Sequence, residues 1–220
     1  MAAEATRGHA AVGSRRYRPY GIIVTMTRAT TSPAGRGPPQ QTLPDYLKPG
    51  LDIVFVGINP GFYSAQVGHY FATPRNRFWA AFNAAGMAPE PLGPETDFRV
   101  MEYGIGFTDV VKRPTRSMSE LKAAEFRDGA RLLEEKLLRA SPRIACFDGL
   151  SGYKNYLRYT GGDPDAATLG LQARRIGRAR VFVLPSTSPA NAAVPLDRIA
   201  EGLRELKELL GRVREGHGED

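Results

Sequence analysis

Apolar residues cluster along this chain in three short dense runs, separated by stretches in which they return every three or four positions. LDIVFVG (51–57), RIACF (143–147) and RVFVLP (180–185) are bounded by turn residues, as expected for strands buried on both faces of a parallel sheet. PRNRFWAAFNAAG (74–86) reads as a helix, with proline in its first turn, Phe78, Phe82 and Ala85 on one face and Gly86 at its end. SMSE (117–120) has the form of a capping box opening a helix to about Ala140, with Leu133 and Leu137 on its buried stripe. Residues 148–158 predict a helix between the second and third runs. Leu196, Ile199, Leu203, Leu206 and Leu210 mark a final amphipathic helix from Pro195. Alternating strands and helices predict an α/β fold: a three-layer α/β/α domain with a short, mostly parallel central sheet. In such sheets ligands bind at the carboxyl ends of the strands, and GINPG and LPSTSPANA each follow one, so they are expected to share a rim.

Composition narrows the class. Of 220 residues, 42% are hydrophobic and 24% charged, as in a soluble globular protein. No apolar run approaches the roughly 20 residues of a membrane helix, and no secretory signal is read at the start. The single cysteine, Cys146, excludes an intramolecular disulfide and reads as a core residue. With three histidines, of which His9 and His217 lie near the ends, no His/Cys metal site and no cofactor are expected. The formal charge is +7, but residues 1–42 carry six arginines and one acid, leaving 24 basic and 22 acidic residues, +2, for the rest. The expected organisation is a disordered basic tail at 1–42, in which YGIIVTM is a stray strand candidate, a folded domain at 43–215, and a disordered end at 216–220. A tail of this kind suits polyanions and is equally consistent with a solvated extension.

FVGINPG (55–61) poses the chemical question. A phosphate loop needs Gly-Lys-Ser/Thr, which is absent, and proline in the middle of GINPG removes an amide that a dinucleotide fingerprint would use. Asn59 offers an acceptor and a donor but does not titrate near neutrality. It can orient a water without keeping its proton, which suits a reaction whose leaving group departs early, such as glycosidic cleavage. An Asx-turn is the competing role.

GINPG, FATPRNRFW (71–79), YGIGFTDVVKRPT (103–115) and LPSTSPANA (184–192), in that order, resemble the mismatch-specific uracil/thymine-DNA glycosylase family of the uracil-DNA glycosylase superfamily, over about Pro44 to Leu210. The resemblance implies a monofunctional glycosylase that flips uracil, or thymine and other damaged pyrimidines at mismatches, out of DNA and hydrolyses its N-glycosidic bond. It implies Asn59 as the residue that positions the attacking water and Phe71 as the ring that stacks on the base. Gly57, Ile58 and Ser64 complete the base pocket, with Ser64 tuning uracil against thymine. It places Ser186, Thr187, Ser188, Pro189, Ala190 and Asn191 at the DNA, with Arg75, Lys112 and Arg113 toward its backbone. The implied partner is double-stranded DNA with uracil or a mismatch, single-stranded DNA remaining open, acted on by a monomer in the cytoplasm, at the nucleoid if bacterial.

Two departures from the family pattern matter. Asp109 stands where relatives often carry lysine or asparagine, and can accept the water's proton, stabilise the cation-like sugar electrostatically, or pair with Lys112 or Arg113. PSTSPANA lacks the histidine of faster relatives, so the departing base relies on backbone amides, and Ala190 is a small wedge for a duplex. Two alternatives stay open: a damage-binding protein on the same fold with little catalysis, and an α/β hydrolase of free nucleosides or nucleotides.

Overall fold

The computed structural model describes residues 42–216, and the expectations for the basic tail, YGIIVTM and the extreme C-terminus lie outside them. In chain order the elements are β1 (Ile53–Gly57), α1 (Phe62–Val67), α2 (Phe78–Ala84), β2 (Ile105–Asp109), α3 (Ala123–Ala140), β3 (Ile144–Asp148), α4 (Leu150–Tyr159), β4 (Gly170–Ile176), β5 (Ala179–Leu184) and α5 (Leu196–Arg214). The sheet order is β2-β1-β3-β5-β4, parallel except for the β4–β5 edge pair. This is the expected three-layer α/β/α fold.

Both faces of the sheet are apolar, so alternate residues of each central strand enter different cores. Ile53 and Phe55 of β1 pack with Phe78, Trp79 and Phe82 of α2 and with Ile199, Leu203 and Leu206 of α5. Val54 and Val56 pack on the other face with Phe126, Leu133 and Leu137 of α3 and Tyr153 and Tyr156 of α4. Cys146 is fully buried in the first of these cores.

The chain leaves β1 for β2 on one side and later returns to β3 on the other. The crevice above β1 and β3 is therefore a topological switch point, where open α/β sheets bind ligands. Gly57, Asp109, Asp148 and Leu184 end their strands on this rim.

Three local expectations are corrected. The helix expected over 74–86 begins at Phe78, because Arg75 takes a left-handed backbone (φ 65°) and the chain turns at 74–75, with Asn76 N–H donating to the Thr73 carbonyl. The Ser117–Glu120 capping box is present but closes only a single 3-10 turn, and α3 starts at Ala123. Two strands escape the apolar-run criterion, β2 and β4. Gly106 in β2 leaves room for the Tyr46 backbone, since a Cβ there would sit 2.3 Å from the Tyr46 carbonyl oxygen.

Candidate active site

Past the end of β1, the GINPG turn does not leave the sheet at once. Val110 and Val111 N–H donate to the Gly57 and Ile58 carbonyls, and Thr115 N–H to that of Pro60, so residues 57–61 run beside 110–115. This pairing brings the second segment to Asn59. Its Nδ2 donates to the Arg113 carbonyl at 2.9 Å, to Thr115 Oγ1 at 2.8 Å and to the Pro60 carbonyl at 3.2 Å. Carbonyls only accept, so the amide orientation is settled by its partners. Oδ1 has no protein donor among the described residues, and Asn59 lines a cavity of about 960 Å³.

Asp109 reaches the same cavity from the end of β2 and is almost fully buried. Gly57 lies opposite it in register, and a Cβ on Gly57 would stand 2.5 Å from Asp109 Oδ1. The glycine that begins the motif thus makes space for the carboxylate. Lys112 Nζ lies 3.3 Å from Asp109 Oδ2, 2.9 Å from Asp45 Oδ1 and 3.2 Å from the Tyr70 hydroxyl. Asp45 also receives Thr108 Oγ1 at 2.8 Å and Lys136 Nζ at 2.7 Å. Burial raises the pKa of Asp109 above the ordinary carboxyl value; Lys112 opposes this and Asp45 adds to it. Burial works against the Lys112 ammonium, but Asp109 and Asp45 outweigh it and hold its pKa above the usual lysine value.

Phe71 forms a wall of the cavity, with one ring face stacked on Phe78 at 3.8 Å and 9°. Its φ of 54° is unusual for an aromatic residue and costs of order 1–3 kcal/mol, so the surroundings must impose it. They do so on both sides. Fully buried Asp97 accepts the Tyr70 N–H at 2.7 Å, and Trp79 Nε1 donates to the Tyr70 carbonyl at 3.0 Å. Beyond Phe71, Thr73 N–H donates to Ser64 Oγ at 3.2 Å. Ser64 is buried at the cavity wall with its hydroxyl tied to Thr73.

The loop after β5 completes the rim through a clamp that the sequence reading did not anticipate. Asp148, ending β3, accepts Thr187 N–H through Oδ1 and Thr187 Oγ1–H through Oδ2, both at 2.8 Å. Arg77 donates to the carbonyls of Ser188 and Asn191 at 2.9 Å and to that of Val194. An acid at the carboxyl end of an evident strand, followed by glycine, was the available signal for Asp148; no local pattern marks Arg77.

The expected DNA contacts separate accordingly. Thr187 has no exposed surface and anchors the loop, since a buried hydroxyl has no phosphate to meet. Lys112 is engaged by carboxylates, and Arg113 grips Glu125 and the Glu120 carbonyl. Ser186 and Ser188 cap turns of their own loop, and the Asn191 side chain donates back to the Ser186 carbonyl at 3.2 Å. Pro189 and Ala190 are left at the tip, and Arg75 is exposed on the turn before α2.

Burial raises Asp148 from 3.8 to about 6, against the Thr187 donors and Arg77 and with help from Asp109. An acid whose folded pKa lies above its unfolded value favours the fold while protonated, and that advantage is lost as pH rises through the window. Asp148→Asn can keep both Thr187 contacts while abolishing the titration. The variant is expected to lose less thermal stability than the parent between about pH 4 and pH 7. Parallel melting curves across that range test this, and equal slopes would contradict it.

A family model for the uracil DNA glycosylase superfamily matches residues 44–207, most of the chain. The chain belongs to the uracil DNA glycosylase superfamily. Membership carries DNA as the partner and hydrolysis of an N-glycosidic bond in DNA as the chemistry. In this superfamily member, Asn59, Asp109 and Phe71 line one cavity on the rim at the carboxyl ends of the strands. No helix among the described residues is long and apolar enough to cross a membrane.

Proposed function

We propose that the protein is a monofunctional glycosylase of the mismatch-specific uracil/thymine type that excises uracil from DNA and leaves an abasic site. The observation that carries this reading is the pairing of a fixed amide with a buried carboxylate. Asn59 turns its NH₂ into the protein and frees its carbonyl for a water, while Asp109 lines the same cavity. A flipped pyrimidine stacks on Phe71 and meets backbone around Gly57 and Ile58. The C1′–N bond breaks with its electron pair leaving on the base, water closes on the cation-like sugar carbon, and Asp109 takes the water's proton. Backbone amides receive the charge on the departing uracil, which predicts modest turnover.

Two features refine the reading. Lys112 is held as an ammonium between Asp45 and Asp109 and so is not a nucleophile, which agrees with base removal without strand cleavage. With only Pro189 and Ala190 at the loop tip, the duplex gap is poorly filled, and the opposing base is expected to matter little.

The test uses labelled oligonucleotides carrying U:G, U:A, T:G or no lesion, followed by alkaline cleavage of abasic sites. Product is expected from both uracil duplexes and none from the undamaged strand. Tight binding to uracil DNA with no product from any substrate would return the damage-binding alternative.

A further inference from the structure

The cavity exceeds what one base requires. At about 960 Å³ it lies at the upper end for pockets that enclose whole drug-sized ligands, whereas a flipped pyrimidine needs only the floor of Asn59, Phe71 and Asp109. Its outer wall is apolar and open: Phe62 is 39% exposed, Tyr63 47%, Met118 39% and Leu169 43%, all lining the same space. Scattered exposed apolar residues are ordinary, but four around one opening form a patch that marks a binding surface.

The two aromatic rings are held out by the fold. Phe62 and Tyr63 head α1, whose Ser64 and Ala65 are buried, so the inward face of the helix is already used. The chemistry near the patch suits a polyanion. Arg116 lines the cavity two residues before Met118, and among the described residues its guanidinium has no carboxylate partner. Exposed rings beside an unpaired cation, continuous with a base pocket, are the elements from which single-strand platforms are built.

The opposite rim bears on which DNA is bound. Taking a base from a duplex opens a gap that a wedge side chain normally fills, and the exposed tip here offers the Ala190 methyl. A single strand has no pairing to break and leaves its neighbouring bases free to stack on aromatic faces. We propose that Phe62 and Tyr63 form a stacking platform for unpaired nucleotides flanking the flipped base, making uracil in single-stranded DNA a preferred substrate. This rests on the excision reading above for the word substrate, but the platform itself concerns binding alone.

The experiment titrates the full chain against a fluorescent single-stranded oligonucleotide with one uracil and against the same strand in a U:G duplex. Phe62→Ala and Tyr63→Ala are each expected to weaken single-strand binding by roughly 5- to 150-fold, the range of one lost base–aromatic stack, and duplex binding by less. Phe62→Leu keeps apolar area without a ring and is expected to behave like Phe62→Ala. Melting curves of all variants confirm folding. Equal losses on both DNAs, no loss on the single strand, or full rescue by leucine would each overturn the platform. The two readings fail differently. Binding that responds to the variants without abasic product removes excision and keeps the platform, whereas excision indifferent to them does the reverse.

Discussion

Replacing Asp109 by asparagine is expected to slow single-turnover uracil excision by about 10²–10⁴-fold, the usual contribution of a positioned general base. The substitution keeps the volume beside Gly57, and Lys112 keeps Asp45, so the change falls on proton acceptance rather than on folding. The pH profile adds a sign. The base works only when ionised, and burial raises its pKa, so activity should fall on acidification at a pH above that of an ordinary carboxyl group. Lys112→Met removes the charge that opposes burial and should move this acid limb to still higher pH. Asp45→Asn removes a neighbouring negative charge and leaves Lys112 to Asp109, so it should move the limb the other way. The other ionisable groups near Asp109, Tyr70 and Asp148, are unchanged in both variants. Near-normal activity in Asp109→Asn would remove it as the base. An unshifted limb in both neighbours would reduce the Lys112 network to scaffolding.

What was legible in the sequence follows the range of the interactions. β1, β3 and β5 were evident because each is apolar on both faces, a pattern few other structures produce. β2 was not, because Gly106, Thr108 and Asp109 interrupt its apolar run, each for a tertiary reason: an approaching backbone, the Asp45 contact and the site itself. β4 is an antiparallel edge strand with polar and charged positions, so it lacks the doubly buried signature. Asn59 stood out because it closely follows an evident strand, and Phe71 and Asp109 because they lie in compact motifs that resemble those of the family. Their supports did not, since Lys112 meets Asp45 across 67 positions, Thr187 meets Asp148 across 39 and Arg77 reaches Asn191 across 114. Such contacts exist only once the sheet has brought its strand ends together. The same fact explains why four residues expected at the DNA, Thr187, Lys112, Arg113 and Asn191, have their polar groups engaged within the protein.

Asn59→Ala is expected to cost on the order of 10²-fold in single-turnover rate, as expected when a reacting water loses its fixed position. Asn59→Asp discriminates between positioning and basicity. A carboxylate at this site has no hydrogen to give the Arg113 carbonyl, and its oxygen would face that carbonyl at about the 2.9 Å now spanned by a donor. It should therefore turn away from its present orientation, and activity should stay near the alanine level although a stronger base has been supplied. Recovery toward the parental rate in Asn59→Asp would mean that residue 59 itself takes the proton. The double variant Asn59→Ala with Asp109→Asn carries the argument one step further. If amide and carboxylate act on one water, removing the second after the first has little left to disrupt, and the combined loss should fall well short of the product of the single losses. Losses that multiply in full would instead mean that the two side chains serve different steps, Asp109 then acting on the sugar cation rather than on the water that Asn59 holds.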